Sequence, residues 1–184
     1  MKINANTGLL TPCRQLPSPN CDLRPADQII DLIVIHSISL PPGQYSGDAI
    51  ERFFSNRLAA DEHPYFQQIA EMKVSSHVLI KRDGHIIQFV PFHQRAWHAG
   101  VSCYHGREHC NDFSIGIELE GTDTDTFESL QYTRLAALIQ ALEQTYTAIT
   151  PQRITGHSDI APGRKTDPGR GFDWNKLQSL LVKS

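Results

Sequence analysis

Asp83-Gly84 sits between two β-prone runs, residues 77–82 and 85–90. An Asp-Gly pair in that setting closes a tight hairpin, because glycine accepts the positive φ that the turn demands. A chain that contains a hairpin cannot build an all-parallel sheet. Residues 32–37, Leu-Ile-Val-Ile-His-Ser, form a short apolar run that reads as a buried strand. Residues 113–119, Phe-Ser-Ile-Gly-Ile-Glu-Leu, alternate apolar with small or polar side chains, and 153–156 read as a short last strand. Asp48 caps a short helix through Asn56, and Thr126 caps a long one to about Tyr146. Leu135, Leu138, Ile139, Leu142 and Tyr146 share one face of the long helix. Asp173 opens a terminal helix with Trp174, Leu177, Leu180 and Leu181 inward. Segments 39–47, 57–73, 91–112 and 158–172 read as loops, the second with a helical turn. The expected fold is mixed α/β: one domain over 1–184, with a central mixed sheet of about five strands flanked by helices. Residues 1–28, with Pro12, Pro17, Pro19 and Pro25, read as an extended arm lying on it.

A chain of 184 residues buries roughly 70% of its unfolded surface and needs no covalent staples. The net charge of −3 offers no field for nucleic acid or an anionic membrane. No apolar window is long enough to span a bilayer, and the first twenty residues lack the apolar core of a secretory signal. The chain therefore reads as cytoplasmic. Cys13, Cys21, Cys103 and Cys110 form no CxxC pair and read as free thiols. Nine histidines direct attention to metal or acid/base chemistry.

His36 ends the first buried strand, His157 ends the last, and Asp167 lies in the loop that His157 opens. A lone strand histidine is usually structural. Two imidazoles and one carboxylate, however, are the usual protein set of a catalytic zinc, with a fourth position left for water. Lys165 lies two residues before Asp167; it is either a solvated loop lysine or an oxyanion donor. Glu118 is flanked by apolar residues in the 113–119 strand. It is either an edge salt bridge or a general base. Trp97 lies in an irregular loop, where it can stack on a sugar or peptide, and His98 beside it either supports a metal ligand or is structural. No P-loop, dinucleotide fingerprint or Gly-x-Ser-x-Gly elbow occurs. Metal-assisted hydrolysis is the chemistry that remains best supported.

Three motifs occur in order. They are Arg95-Ala96-Trp97-His98-Ala99-Gly100, the run Asn111 to Gly121, and Gly156-His157-x-Asp159-Ile160-Ala161-Pro162-x-Arg164-Lys165-x-Asp167-Pro168-Gly169. Together they resemble the type 2 N-acetylmuramoyl-L-alanine amidase family over nearly the whole chain. The run Ile38-Ser39-Leu40-Pro41-Pro42-Gly43 and the stretch Phe92 to Gly100 narrow the likeness to members that act on 1,6-anhydro-muropeptides. The resemblance implies a zinc amidase fold shared with peptidoglycan-recognition proteins. It implies Zn²⁺ held by His36, His157 and Asp167, Glu118 as general base, and Lys165 as oxyanion stabiliser. The implied reaction cleaves the amide between the lactyl group of anhydro-N-acetylmuramic acid and L-alanine during peptidoglycan recycling. That reaction also lowers the muropeptide signal for β-lactamase induction. Trp97 is implied to pack on the sugar. Ser37 stands where relatives often carry asparagine, and Lys73 and His109 stand where they often carry arginines that contact stem-peptide carboxylates. A lysine keeps the charge without the bidentate fork. Non-catalytic relatives typically lose a zinc ligand, whereas all three candidates are present here. The expected partner is an anhydro-muropeptide, bound by a monomer, with no nucleic acid and no membrane.

Overall fold

The computed structural model describes residues 1–45 and 47–182. The arm forms four short strands: β1 (Lys2–Asn4), β2 (Leu9–Thr11), β3 (Arg14–Gln15) and β4 (Cys21–Leu23). The apolar run forms β5 (Leu32–Ile38), followed by α1 (Ala49–Phe54) and α2 (Phe66–Ile69). The hairpin is β6 (Val78–Ile80) and β7 (Ile86–Gln88). The next segment carries β8 (Gln94–Ala96), β9 (Cys103–Tyr104) and β10 (Arg107–Glu108). Then come β11 (Ser114–Glu120), α3 (Ser129–Thr145), β12 (Ile154–Gly156), α4 (His157–Ile160) and α5 (Trp174–Val182).

The main sheet has six strands in the order β12-β5-β11-β6-β7-β3. Strands β12, β5, β11 and β6 run parallel, and β7 is antiparallel to β6. The hairpin therefore makes the sheet mixed. Its strands are shorter than the sequence suggested because the turn uses residues 81–85. Lys81 accepts from Gly84 N–H and donates to His85 C=O, both at 2.9 Å. Gly84 has φ +79°, and a Cβ there would lie 2.6 Å from Leu130.

The sixth strand is β3, drawn from the arm and paired with β7. The buried Gln88 side chain clamps the arm, accepting from Leu10 N–H at 2.8 Å and donating to Gly8 C=O at 2.9 Å. The segment read as one long loop, 91–112, holds β8 to β10, and β8 pairs with β4.

Strand periodicity divides the sheet into two chemistries. Ile33 and Ile35 of β5 and Ile115, Ile117 and Leu119 of β11 pack against Leu135, Leu138, Ile139 and Leu142 of α3. On the opposite face Leu32 and Val34 pack against Ala99, Phe113 and Ile160. There β11 presents Ser114, Gly116, Glu118 and Glu120, which interrupt the apolar surface expected of a strand buried on both faces.

The long helix starts at Ser129, two residues later than the Thr126 cap implied. Phe127 is buried and fixes an extended approach. Gln131 then accepts from Glu128 N–H at 2.9 Å and donates to the carbonyls of Ile80 and Glu120 at 3.2 and 3.1 Å. The 158–172 segment begins as a helical turn, α4, because Asp159 accepts from Gly156 N–H at 2.9 Å. Among the described residues no helix is long and apolar enough to cross a membrane.

Leu138 is fully buried between α3 and the sheet. Leu138→Ala is expected to lower unfolding free energy by ~2–5 kcal/mol, read from the denaturant midpoint. A loss below about 1 kcal/mol would mean that α3 does not seal the core as described.

Candidate active site

Parallel pairing places Glu118 of β11 directly beside His36 of β5. Both lie near the carboxyl ends of their strands, on the face opposite α3. Strand β12 pairs with β5 on the other side, and α4 starts at its end, which brings His157 alongside His36. Asp167 returns to the same point, with its carbonyl accepting from Ser158 N–H at 2.9 Å.

His36 Nδ1 lies 3.0 Å from His157 Nδ1 and 3.0 Å from Asp167 Oδ2, and His157 Nδ1 lies 3.1 Å from the same oxygen. The three form a cluster able to hold a metal ion. Bonds of ~2.0–2.1 Å to a tetrahedral zinc set neighbouring ligand atoms ~3.3 Å apart, so the cluster needs only a slight expansion. The other ring nitrogens are engaged: His36 Nε2 with His98 Nδ1 at 2.9 Å, His157 Nε2 with the Ala99 carbonyl at 3.1 Å. Ala99 C=O also accepts from Arg164 at 2.6 Å. Two nitrogens and one carboxylate oxygen turned toward a common centre fit a cation.

Burial pushes His36 down to about 4, against the opposing pull of Asp167, so the ring is neutral and has a lone pair to give. Burial tends to raise the Asp167 carboxyl. The imidazoles of His157 and His36 against it outweigh that and hold the group below the ordinary carboxylate range. Glu118 moves the other way: desolvation pushes it well above its ordinary value, Asp167 adds to the rise, and Lys165 opposes it. Its Oε2 is buried with no hydrogen-bond partner. An unpaired buried carboxyl is costly to the fold and is suited to proton transfer.

These groups line one cavity of about 540 Å³. His36, His98, Glu118, His157, Lys165 and Asp167 form its polar end, with Ser37 and Trp97 beside them. Leu40, Phe53, Phe54, Tyr65 and Ile69 form an apolar wall. Lys165 is exposed at the cavity edge. Lys73 is exposed between Met72 and Val74, which line the cavity. His109 is not brought to this cavity. It is exposed and lines a separate depression of about 340 Å³ with Ser102, Cys103 and Arg164. The apolar wall escaped the sequence reading because Phe53 and Phe54 serve equally as helix core. Only adjacency to Trp97 pointed to His98.

A sequence model of the N-acetylmuramoyl-L-alanine amidase family matches residues 26–170. The 1,6-anhydro-N-acetylmuramyl-L-alanine amidase AmpD of Citrobacter freundii is 54% identical over 177 residues, covering 96% of this chain and 94% of that protein. The crystal structure of a selenomethionine AmpD derivative superposes with a TM-score of 0.95 at 52% identity, covering 98% of this chain and 99% of that one. The Escherichia coli amidase AmiD, in complex with anhydro-N-acetylmuramic acid-L-Ala-D-γ-Glu-L-Lys, superposes with a TM-score of 0.61 at 30% identity, covering 85% and 60%. The chain belongs to the N-acetylmuramoyl-L-alanine amidase family.

Proposed function

We propose that this chain is a zinc amidase that hydrolyses the bond between the lactyl group of 1,6-anhydro-N-acetylmuramic acid and L-alanine of the stem peptide, in peptidoglycan recycling. The observation that carries the reading is the convergence of His36, His157 and Asp167 beside the unpaired carboxyl of Glu118 in one cavity. The likeness to AmpD runs the length of the chain, and a related amidase is known with an anhydro-muropeptide bound. Residues 1–184 act as one amidase domain, the first 28 as its arm. The four cysteines are free, which suits a reducing compartment and supports a cytoplasmic site of action. The enzyme acts there as a monomer, and consuming anhydro-muropeptides lowers the signal that induces β-lactamase.

His36, His157 and Asp167 would hold the zinc. When bound, it supplies Lewis acidity that polarises the scissile carbonyl and lets water ionise near neutrality. Glu118 takes the proton of the attacking water on its free carboxylate oxygen and returns a proton to the leaving amine nitrogen of L-alanine. Lys165, at the cavity edge, offers its ammonium to the oxyanion, an interaction typically worth ~3–4 kcal/mol. Trp97 presents a flat apolar face to the sugar, with Ser37 beside it. Lys73 attracts stem-peptide carboxylates as a point charge.

The purified protein is expected to retain zinc through dialysis, and His36→Ala to lose both the metal and the activity. Full activity after chelator treatment, verified by metal analysis, would overturn the zinc assignment. Lys73→Ala is expected to raise KM for a tripeptide substrate more than for one carrying L-alanine alone; equal shifts would remove Lys73 from substrate recognition.

Glu118→Gln is expected to keep its zinc and lose ~10²-fold or more in kcat. Its stability should move the other way. The unfolded carboxyl ionises in the ordinary range, whereas the folded one keeps its proton to higher pH. Ionisation therefore weakens the wild-type fold as pH rises beyond that range, and glutamine removes the penalty. Metal-free Glu118→Gln should melt above metal-free wild type, with the gap widening toward alkaline pH. A variant that melts lower at every pH would show that Glu118 is structurally paired.

A further inference from the structure

Consecutive residues of one loop face the outer nitrogens of both imidazoles. The ring of His98 meets His36 Nε2 at 2.9 Å, and the carbonyl of Ala99 meets His157 Nε2 at 3.1 Å. The loop is itself held: Asn111 Oδ1 accepts from His98 N–H at 3.1 Å and from Ala99 N–H at 2.8 Å. The His98 ring occupies a niche left by a missing side chain, because a Cβ at Gly116 would stand 2.5–2.8 Å from three of its atoms.

The direction of each hydrogen bond follows from its far end. The carbonyl of Cys110 can only accept, so Ser114 Oγ donates to it at 2.5 Å. Ser114 Oγ then accepts from His98 Nε2–H at 3.2 Å. That leaves His98 Nδ1 with a lone pair, which accepts from His36 Nε2–H. His36 Nδ1 is in turn left unprotonated, 3.0 Å from both His157 Nδ1 and Asp167 Oδ2. A main-chain carbonyl three hydrogen bonds away thus fixes the tautomer and the ring plane of His36.

We infer that His98 is a positioning residue for the metal centre: by accepting the Nε2 proton of His36 it presets the Nδ1 lone pair, and Gly116 and Ser114 exist in β11 to seat it. The inference rests on the zinc reading of the centre. Partners that orient a ligating imidazole typically carry 10–100-fold in metal affinity or activity.

The first test needs no mutation. In ¹⁵N-labelled wild-type protein, a coupling across the hydrogen bond between His36 Nε2 and His98 Nδ1 is expected in both the metal-free and the zinc-loaded form. Its absence from both overturns the inference. The second test is zinc affinity by chelator competition. His98→Phe keeps a ring and removes the acceptor; its zinc affinity is expected to fall ~10–100-fold. His98→Asn puts an acceptor oxygen near the position of Nδ1 and should recover most of that loss. Wild-type affinity in His98→Phe, or equal losses in the two variants, overturns the inference. If His98→Phe does not fold, the coupling decides the matter alone. If wild type binds no zinc, the zinc reading fails while the coupling still reports on the His36–His98 bond.

Discussion

The parallel register of β5 and β11 sets His36 beside Glu118, and the site depends on that register. It is maintained from behind the site. Ile33 and Ile35 on one strand and Ile115, Ile117 and Leu119 on the other must face α3. A slip of β11 by one residue would turn its three apolar side chains to the wrong face and send Leu119 into the cavity. The apolar face therefore selects the residues of the polar face. The register places the backbones of His36 and Glu118, and His98 then orients the ring of His36.

What is gathered on that face is unfavourable to folding in isolation. Glu118 is desolvated with one oxygen unpartnered, and two imidazoles face a carboxylate at hydrogen-bond distance. The compensation comes from ordinary packing behind the sheet and from buttresses in front. Arg24 of the arm is one of these. Its guanidinium donates to the carbonyls of Asn111, Asp112 and Phe92 at 3.0–3.2 Å and of Ser114 at 2.8 Å. Burial pushes it down to about 10. One cation thus ties both ends of the segment that carries Trp97 and His98, alongside the pairing of β8 with β4.

The parts of this arrangement visible in the sequence are those with a period or a turn signal. The hairpin at Asp83-Gly84, the apolar run of β5 and the face of α3 follow from local chemistry, and each stands in the structure within a few residues of the expected bounds. Strands such as β3, β9 and β10 have two residues each, too few to show alternation. Thr126 looked like a helix cap because threonine favours that position, but the burial of Phe127 and the tertiary bonds of Gln131 moved the start. His36, His157 and Asp167 were nominated by residue type and strand ends, yet their mutual approach is a product of sheet order, which no local pattern encodes. His109 shows the converse: the resemblance puts it where relatives often carry an arginine that contacts the substrate, whereas after β10 it lines a different depression.

Strand β12 is an edge: it has three residues and pairs only with β5. It leads straight into α4, whose first residue is His157, and the loop beyond it carries Asp167. Two of the three candidate donors thus sit on one margin of the sheet, while the third, His36, lies in an interior strand. With zinc bound as proposed, opening of that margin would separate the donors, and an occupied centre would protect the amides of residues 154–167 against hydrogen exchange. On that reading the ion would close the same edge that holds it.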